Sequence, residues 1–224
     1  FREENERVAK LKVETPARWL KLSNIPKLFY DKTFLNFDSK LQKKAFDYLR
    51  NYTTGSVALL SPGIYGVGKT HLVCALVNRL IQDKKEESVV LHDGSIRFRS
   101  CPAFFVQENM LLARIRDTFN SGLTIEDEGY ENEEMIYREL EKTPLLIIDD
   151  VGKVRPKDYS FLQGVYFRVI DSRYNEGKSI IITTNLNYDE LEVHIGGACA
   201  DRLREMAGKA GFIVMTGKSY RARN

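Results

Sequence analysis

The chain has 224 residues, 43% hydrophobic and 29% charged, enough for one α/β domain with a short arm and too few for two full domains. The net charge of +3, from 34 Lys+Arg against 31 Asp+Glu, is too slight to identify a nucleic-acid binder. No apolar run approaches the ~20 residues of a membrane-spanning helix, and the polar start FREENERVAKLK is no secretory signal.

Residues 1–22 read as a charged, partly helical arm, and a start at Phe1 raises the expectation of a trimmed N-terminus with a further module upstream. SNIPKLFYDKTFLNFD (23–38) mixes Pro26, aromatics and short polar residues, an ordered irregular segment. Residues 39–52 carry Leu41, Ala45, Phe46 and Leu49 at helical spacing, with Ser39 as N-cap. SVALL (56–60) is a buried strand, and Leu72, Val73, Leu76, Val77, Leu80 and Ile81 then mark one face of a helix over 70–83. Residues 84–102 form an extended loop or a small hairpin. A strand follows at 103–107 and a helix at 108–122 stopped by Gly122, then an acidic loop at 123–134 and a helix over 135–142. PLLIIDD (144–150) is a strand ending in two acids. A helix at 158–178, a strand at 179–185, helices over NYDELEVHIG and ACADRLREMAG, and a strand at 211–216 complete the chain. Wholly apolar strands between helices predict an α/β fold with a mainly parallel five-stranded sheet covered on both faces. Ligands on such sheets bind at the strands' carboxyl ends. Cys74, Cys101 and Cys199 lie far apart with no C-x-x-C pair, against a zinc site or a disulfide framework and in keeping with a reducing cytoplasm.

Gly63-Ile64-Tyr65-Gly66-Val67-Gly68-Lys69-Thr70 fits G-x-x-x-x-G-K-[ST], follows a strand and opens a helix. Its glycines let successive N–H groups face phosphate oxygens, and the helix N-terminus adds a positive dipole. Lys69 is the candidate for the β- and γ-phosphates and Thr70 for Mg²⁺, with Tyr65, Val67 and His71 lining the same nucleotide site. Asp149, at its strand end, is the second candidate Mg²⁺ ligand, and Asp150 the candidate for polarising attacking water. Asn185 ends the neighbouring strand, where a polar residue can hold that water and where turn residues are also common.

Glycine loop, LLIIDDVG, TTN, DRL and SYRAR occur in that order. Over roughly residues 23–223 the chain resembles the AAA+ ATPases of the bacterial helicase-loader type, DnaC and DnaI, and is similar to their relative IstB, a transposase helper. The resemblance implies a P-loop NTPase of the AAA+/ASCE kind, a three-layer α/β/α sandwich. It implies Arg202 in DRL as an arginine finger reaching a neighbouring subunit's ATP, Arg204 as a fallback, and Arg221 as a γ-phosphate sensor in cis. It makes residues 1–38 an arm and adenine-proximal segment, with Ile25, Pro26 and Phe34 as base-pocket candidates, and 39–224 the ATPase domain; the helicase-binding module belongs upstream. Arg114 and Arg116, with Lys153, Arg155 and Lys157, become candidate single-stranded DNA contacts, although solvated surface charge is their alternative reading. Asp150 departs from the Glu that many AAA+ enzymes carry, which implies slow hydrolysis suited to a switch.

The function expected is a cytoplasmic ATP- and Mg²⁺-dependent loader that assembles as a homo-oligomer on single-stranded DNA and helps place a DnaB-type replicative helicase. The alternatives are an IstB-like transposition helper, a non-hydrolysing nucleotide-binding adaptor and a small-molecule kinase; Asp150 and the lack of an arginine-rich lid disfavour the last.

Overall fold

A computed structural model describes residues 16–84, 88–90, 96–98, 100–119 and 122–220. Most of the arm's first 22 residues and Arg221 therefore fall outside the described residues. Residues 16–22 form α1, followed by 3₁₀ turns at Lys27–Phe29 and Ser39–Leu41 and by α2 (Lys43–Arg50). Asp38, not Ser39, caps the second turn, its side chain accepting from the Lys40 N–H. Then come β1 (Val57–Leu60), α3 (Lys69–Lys84), β2 (Ser88–Val90), β3 (Ile96–Phe98), β4 (Ala103–Gln107), α4 (Glu108–Thr118), α5 (Glu133–Lys142) and β5 (Leu145–Val151). The chain ends with α6 (Ser160–Asn175), β6 (Ser179–Thr184), α7 (Tyr188–Ile195), α8 (Gly197–Gly211) and β7 (Phe212–Val214).

The expected strands are present, and the region left as loop or hairpin is a hairpin, with β2 and β3 antiparallel. The helix beginning at 108 ends at Thr118, four residues before Gly122, and α8 runs on through a kink at Gly208.

The five-stranded sheet has the order β4-β5-β6-β1-β7, and every pairing in it is parallel. Successive residues of a strand face opposite sides. Leu145 and Ile147 of β5 therefore join Leu72, Leu76 and Phe105 under α2 and α3, while Leu146 and Ile148 join Ile115, Leu140, Val169 and Leu203 under α4–α8. Burial on both faces explains why these strands read as unbroken apolar runs.

β6 lies between β1 and β5. Three strand ends thus share one crevice: β1 feeds the glycine loop, β5 ends in the paired acids, and β6 leads into Asn185. Segment 23–38 closes the β4 edge, where the Phe105 N–H donates to Ser23 O (2.8 Å) and Asn24 Nδ2 donates to Phe105 O (2.9 Å). It then follows α3 towards the glycine loop, held by Asn78 Nδ2 on the carbonyls of Phe29, Tyr30 and Lys32. Among the described residues no helix is long and apolar enough to cross a membrane, and all three cysteines are free.

Candidate active site

Gly63, Gly66 and Gly68 adopt φ of 65°, 73° and 91°, so the loop from 63 to 68 curls as its glycines permit. Gly68 is doubly constrained, because a Cβ there would stand 2.5 Å from Phe37 Cε2. Val67 is buried beneath the loop and Tyr65 is exposed at its tip.

Lys69 is 6% exposed, and its Nζ donates to Asn185 Oδ1 at 2.6 Å and to Ser61 Oγ. Ser61 Oγ also lies 3.0 Å from Asn185 Oδ1 and 2.7 Å from Ile64 O. The Gly63 N–H donates to Asn185 O at 3.0 Å. The lysine, the loop and the end of β6 are thereby one hydrogen-bonded unit. Ser61 is a member that no motif singled out; its signal was a polar residue closing an apolar strand just before Pro62.

Thr70 Oγ1 stands 3.1 and 3.0 Å from the two Asp149 carboxylate oxygens, and Thr183 Oγ1 donates to Asp149 Oδ1 at 2.6 Å. Asp149 is fully buried. Burial pushes its carboxyl up to about 6, against the Thr183 hydrogen bond. Among the described residues no group of three or more His, Cys, Asp or Glu could cage a metal. The hard oxygens of Thr70 and Asp149 suit Mg²⁺, which takes its remaining ligands from water and phosphate.

Asp150 follows with φ 57°, in the left-handed region that a non-glycine residue rarely occupies. It sits in an irregularity of the β5–β6 pairing between Ile148 and Val151, and its N–H donates to Thr183 Oγ1 at 3.0 Å. Its carboxylate is 3.8 Å from Lys153 Nζ. Backbone strain of this kind, of order 1–3 kcal/mol, collects at functional sites where neighbours overdetermine it.

The base-pocket candidates lie along the segment that runs towards the glycine loop. Ile25 is 3% exposed within the core, Pro26 precedes the first 3₁₀ turn, and Phe34 packs edge-on to Phe46, 5.6 Å between ring centres. The aromatics that reach the glycine loop are Phe37 and Tyr220, 5.5 Å apart, both against Gly68. Tyr220 donates its N–H to Gly66 O (2.9 Å) and its hydroxyl to Asp38 O (2.6 Å). His71 packs on Phe37 at 5.0 Å while its Nε2 meets Thr33 O and Asn36 Oδ1, each at 3.1 Å.

Arg202, on α8, holds Asp171 of α6 at 2.9 Å and lies over the rings of Phe167 and Tyr174. Arg204 lies over Tyr188 at 4.1 Å. Arg114 is committed to Glu131 and Glu139, so its guanidinium is already neutralised within the chain. Arg116 covers Phe161 at 4.8 Å, and Lys153, Arg155 and Lys157 are exposed beyond the paired acids.

No family model matches the chain. It is 24% identical over 210 residues to the replicative helicase loader DnaC of Buchnera aphidicola subsp. Baizongia pistaciae, covering 91% of this chain and 75% of that protein. It is 25% identical over 181 residues to the replicative helicase loader DnaC of Escherichia coli K12, covering 80% of this chain and 62% of that protein. Its fold is that of a crystal structure of the DnaC helicase loader (TM-score 0.61, 21% identity, 85% of this chain, 100% of that one). AMPPCP-bound DnaA from Aquifex aeolicus also shares it (TM-score 0.58, 16% identity, 85% of this chain, 52% of that one). The fold is thus that of the AAA+ P-loop ATPases.

Proposed function

We propose that this chain, a DnaC-type AAA+ family member, is an ATP-operated switch that assembles on single-stranded DNA and helps load a DnaB-type replicative helicase. The observation that carries the reading is the convergence of two hydrogen-bonded pairs, Lys69 with Asn185 and Thr70 with Asp149, at three adjacent strand ends. A triphosphate entering the glycine loop would draw the Lys69 ammonium away from Asn185, leaving that amide to hold the attacking water beside Asp150. Thr70 and Asp149 would hold Mg²⁺, which supplies charge compensation for the phosphates. Arg202 would leave Asp171 to serve a neighbouring subunit's site, where such a group is worth ~10³–10⁵ in rate. Phe37, Tyr220 and His71 would border the nucleotide, since they pack beside the glycine loop. The relatives named DnaC support the loader over the transposition helper, and the exposed 153–157 cluster, more than Arg114, supplies charge for a DNA backbone.

The test is ATP turnover with and without single-stranded DNA, for wild type, Lys69→Ala, Arg202→Ala and an equimolar mixture of the two variants. Each variant alone should be at least tenfold slower, and the mixture should recover part of the rate, because one subunit supplies the loop and the other the arginine. A mixture as inactive as its parts removes the shared site; a wild type that neither binds nor hydrolyses ATP removes the function.

A further inference from the structure

Glu108 opens α4 and is 1% exposed, yet no motif accounts for it. A buried carboxylate is costly unless its oxygens are satisfied, and here both are. Oε1 accepts from the Tyr166 hydroxyl and faces His194 Nε2, each at 2.7 Å; Oε2 accepts from the N–H groups of Gly152 (3.0 Å) and Val154 (3.4 Å). Tyr166 and His194 are themselves 2% and 3% exposed. Four separate pieces of chain meet on one side chain: the start of α4, the middle of α6, the last turn of α7, and the turn that leaves the paired acids.

That turn is the functionally relevant partner. Asp150 is strained at φ 57°, and relaxation of the residues after it would move its carboxylate. On one side Asp149 is fixed by Thr183 and the sheet. On the other, Thr184 Oγ1 donates to Val151 O at 2.7 Å, and the next N–H, that of Gly152, goes to Glu108. Gly152 cannot carry a side chain: its φ is +87°, and a Cβ would stand 2.4 Å from Leu186 Cδ1.

We infer that Glu108 is a positioning residue for ATP hydrolysis: it clamps the 152–154 turn and so holds Asp150 in its left-handed conformation, while His194 ties the clamp to α7. The inference rests on the proposed hydrolysis, and nucleotide affinity is read separately so that the two can fail independently. Glu108→Met removes the acceptors at similar length. Turnover should fall at least tenfold, with the affinity for a fluorescent ATP analogue within twofold of wild type. Glu108→Gln can turn its carbonyl to the two amides, while its NH₂ faces the Tyr166 oxygen and the other tautomer of His194; it should stay within threefold of wild-type turnover. Unchanged turnover in Glu108→Met, or loss of ATP affinity in step with turnover, overturns the clamp. Should Glu108→Met not fold, amide hydrogen exchange on the wild type decides. Protection of the Gly152 and Val154 N–H groups by at least a hundredfold over an unstructured peptide is expected, and free exchange overturns the inference. A wild type inert towards ATP would refute the function, and exchange alone would then judge the clamp.

Discussion

Asp149→Asn should make the nucleotide-free protein more stable and abolish Mg²⁺-dependent turnover. The carboxyl is fully buried, and burial raises it from 3.8 to about 6. A raised acid means the folded state holds its proton more tightly than the unfolded chain does. Stability therefore falls as pH rises from about 4 to about 6 and stays reduced above that window. The displacement is roughly two on the pH scale, at about 1.4 kcal/mol each, so the charged form costs up to about 3 kcal/mol at neutral pH. Asparagine has the same shape and keeps an acceptor for Thr183, but carries no charge. Urea titrations of both proteins at pH 7.5 should show the variant about 1–3 kcal/mol more stable, and the gap should close near pH 4. Mg²⁺-ATP should then stabilise the wild type more than the variant, which keeps the glycine loop and Lys69 but lacks the charged Mg²⁺ ligand, since binding to the native state raises stability. A variant less stable than wild type at pH 7.5, or one still turning over ATP with Mg²⁺, would refute the reasoning.

Asp150→Glu lengthens by one methylene the side chain proposed to activate water; the slow turnover expected of the wild type should rise severalfold, and phosphate release with saturating ATP measures it. Gly68→Ala sets a Cβ at φ +91° and 2.5 Å from Phe37, so ATP affinity by calorimetry should weaken at least tenfold. Arg173 is fully buried inside α6 and donates to the carbonyls of Leu140, Thr143, Pro144 and Ser179. Arg173→Met leaves these acceptors without a donor at about 1–3 kcal/mol each. Thermal unfolding should come at least ~6 °C lower, at ~2–4 °C per kcal/mol for a chain of this size.

The strands and most helices were legible because local signals agreed with the fold. Ile147 and Ile148 face opposite sides of one sheet, and an apolar residue at both positions says that both sides are covered. The glycine loop was legible because its spacing, strand and helix must occur together. Strand order was not in the residues themselves; the expectation went no further than a strand of Asn185 beside that of the paired acids. Nothing in SIIITTN says that β6 inserts between β1 and β5, yet that insertion brings Asn185 to Lys69. Glu108 read as an ordinary acid at a helix start, and its partners lie 44, 58 and 86 residues away. Arg173 did carry a signal: it follows Val169 and Ile170 at helical spacing on the inward face, where a cation can stand only if most of its donors are bonded, as its two terminal nitrogens are here.

The base-pocket candidates are spread along one segment at different distances from the glycine loop. Segment 23–38 does run up to the glycine loop, but it enters at the β4 edge, where Ile25 is spent on the core, and arrives at Phe37. Aromatic content alone could not order Phe29, Phe34 and Phe37 by distance from Gly68. What orders them is the set of carbonyls taken by Asn78, which fixes residues 29–32 two to three turns down α3 from Lys69. From there the chain rises past His71 to the loop. The same geometry explains why each reactive group of the site is partnered by another: Lys69 by Asn185, Thr70 by Asp149. A charged ligand entering this crevice cannot bind by adding contacts alone; it must exchange hydrogen bonds that now join the ends of β1, β5 and β6. Under the proposed function, that exchange would let nucleotide at the glycine loop be felt at the turn beyond the paired acids.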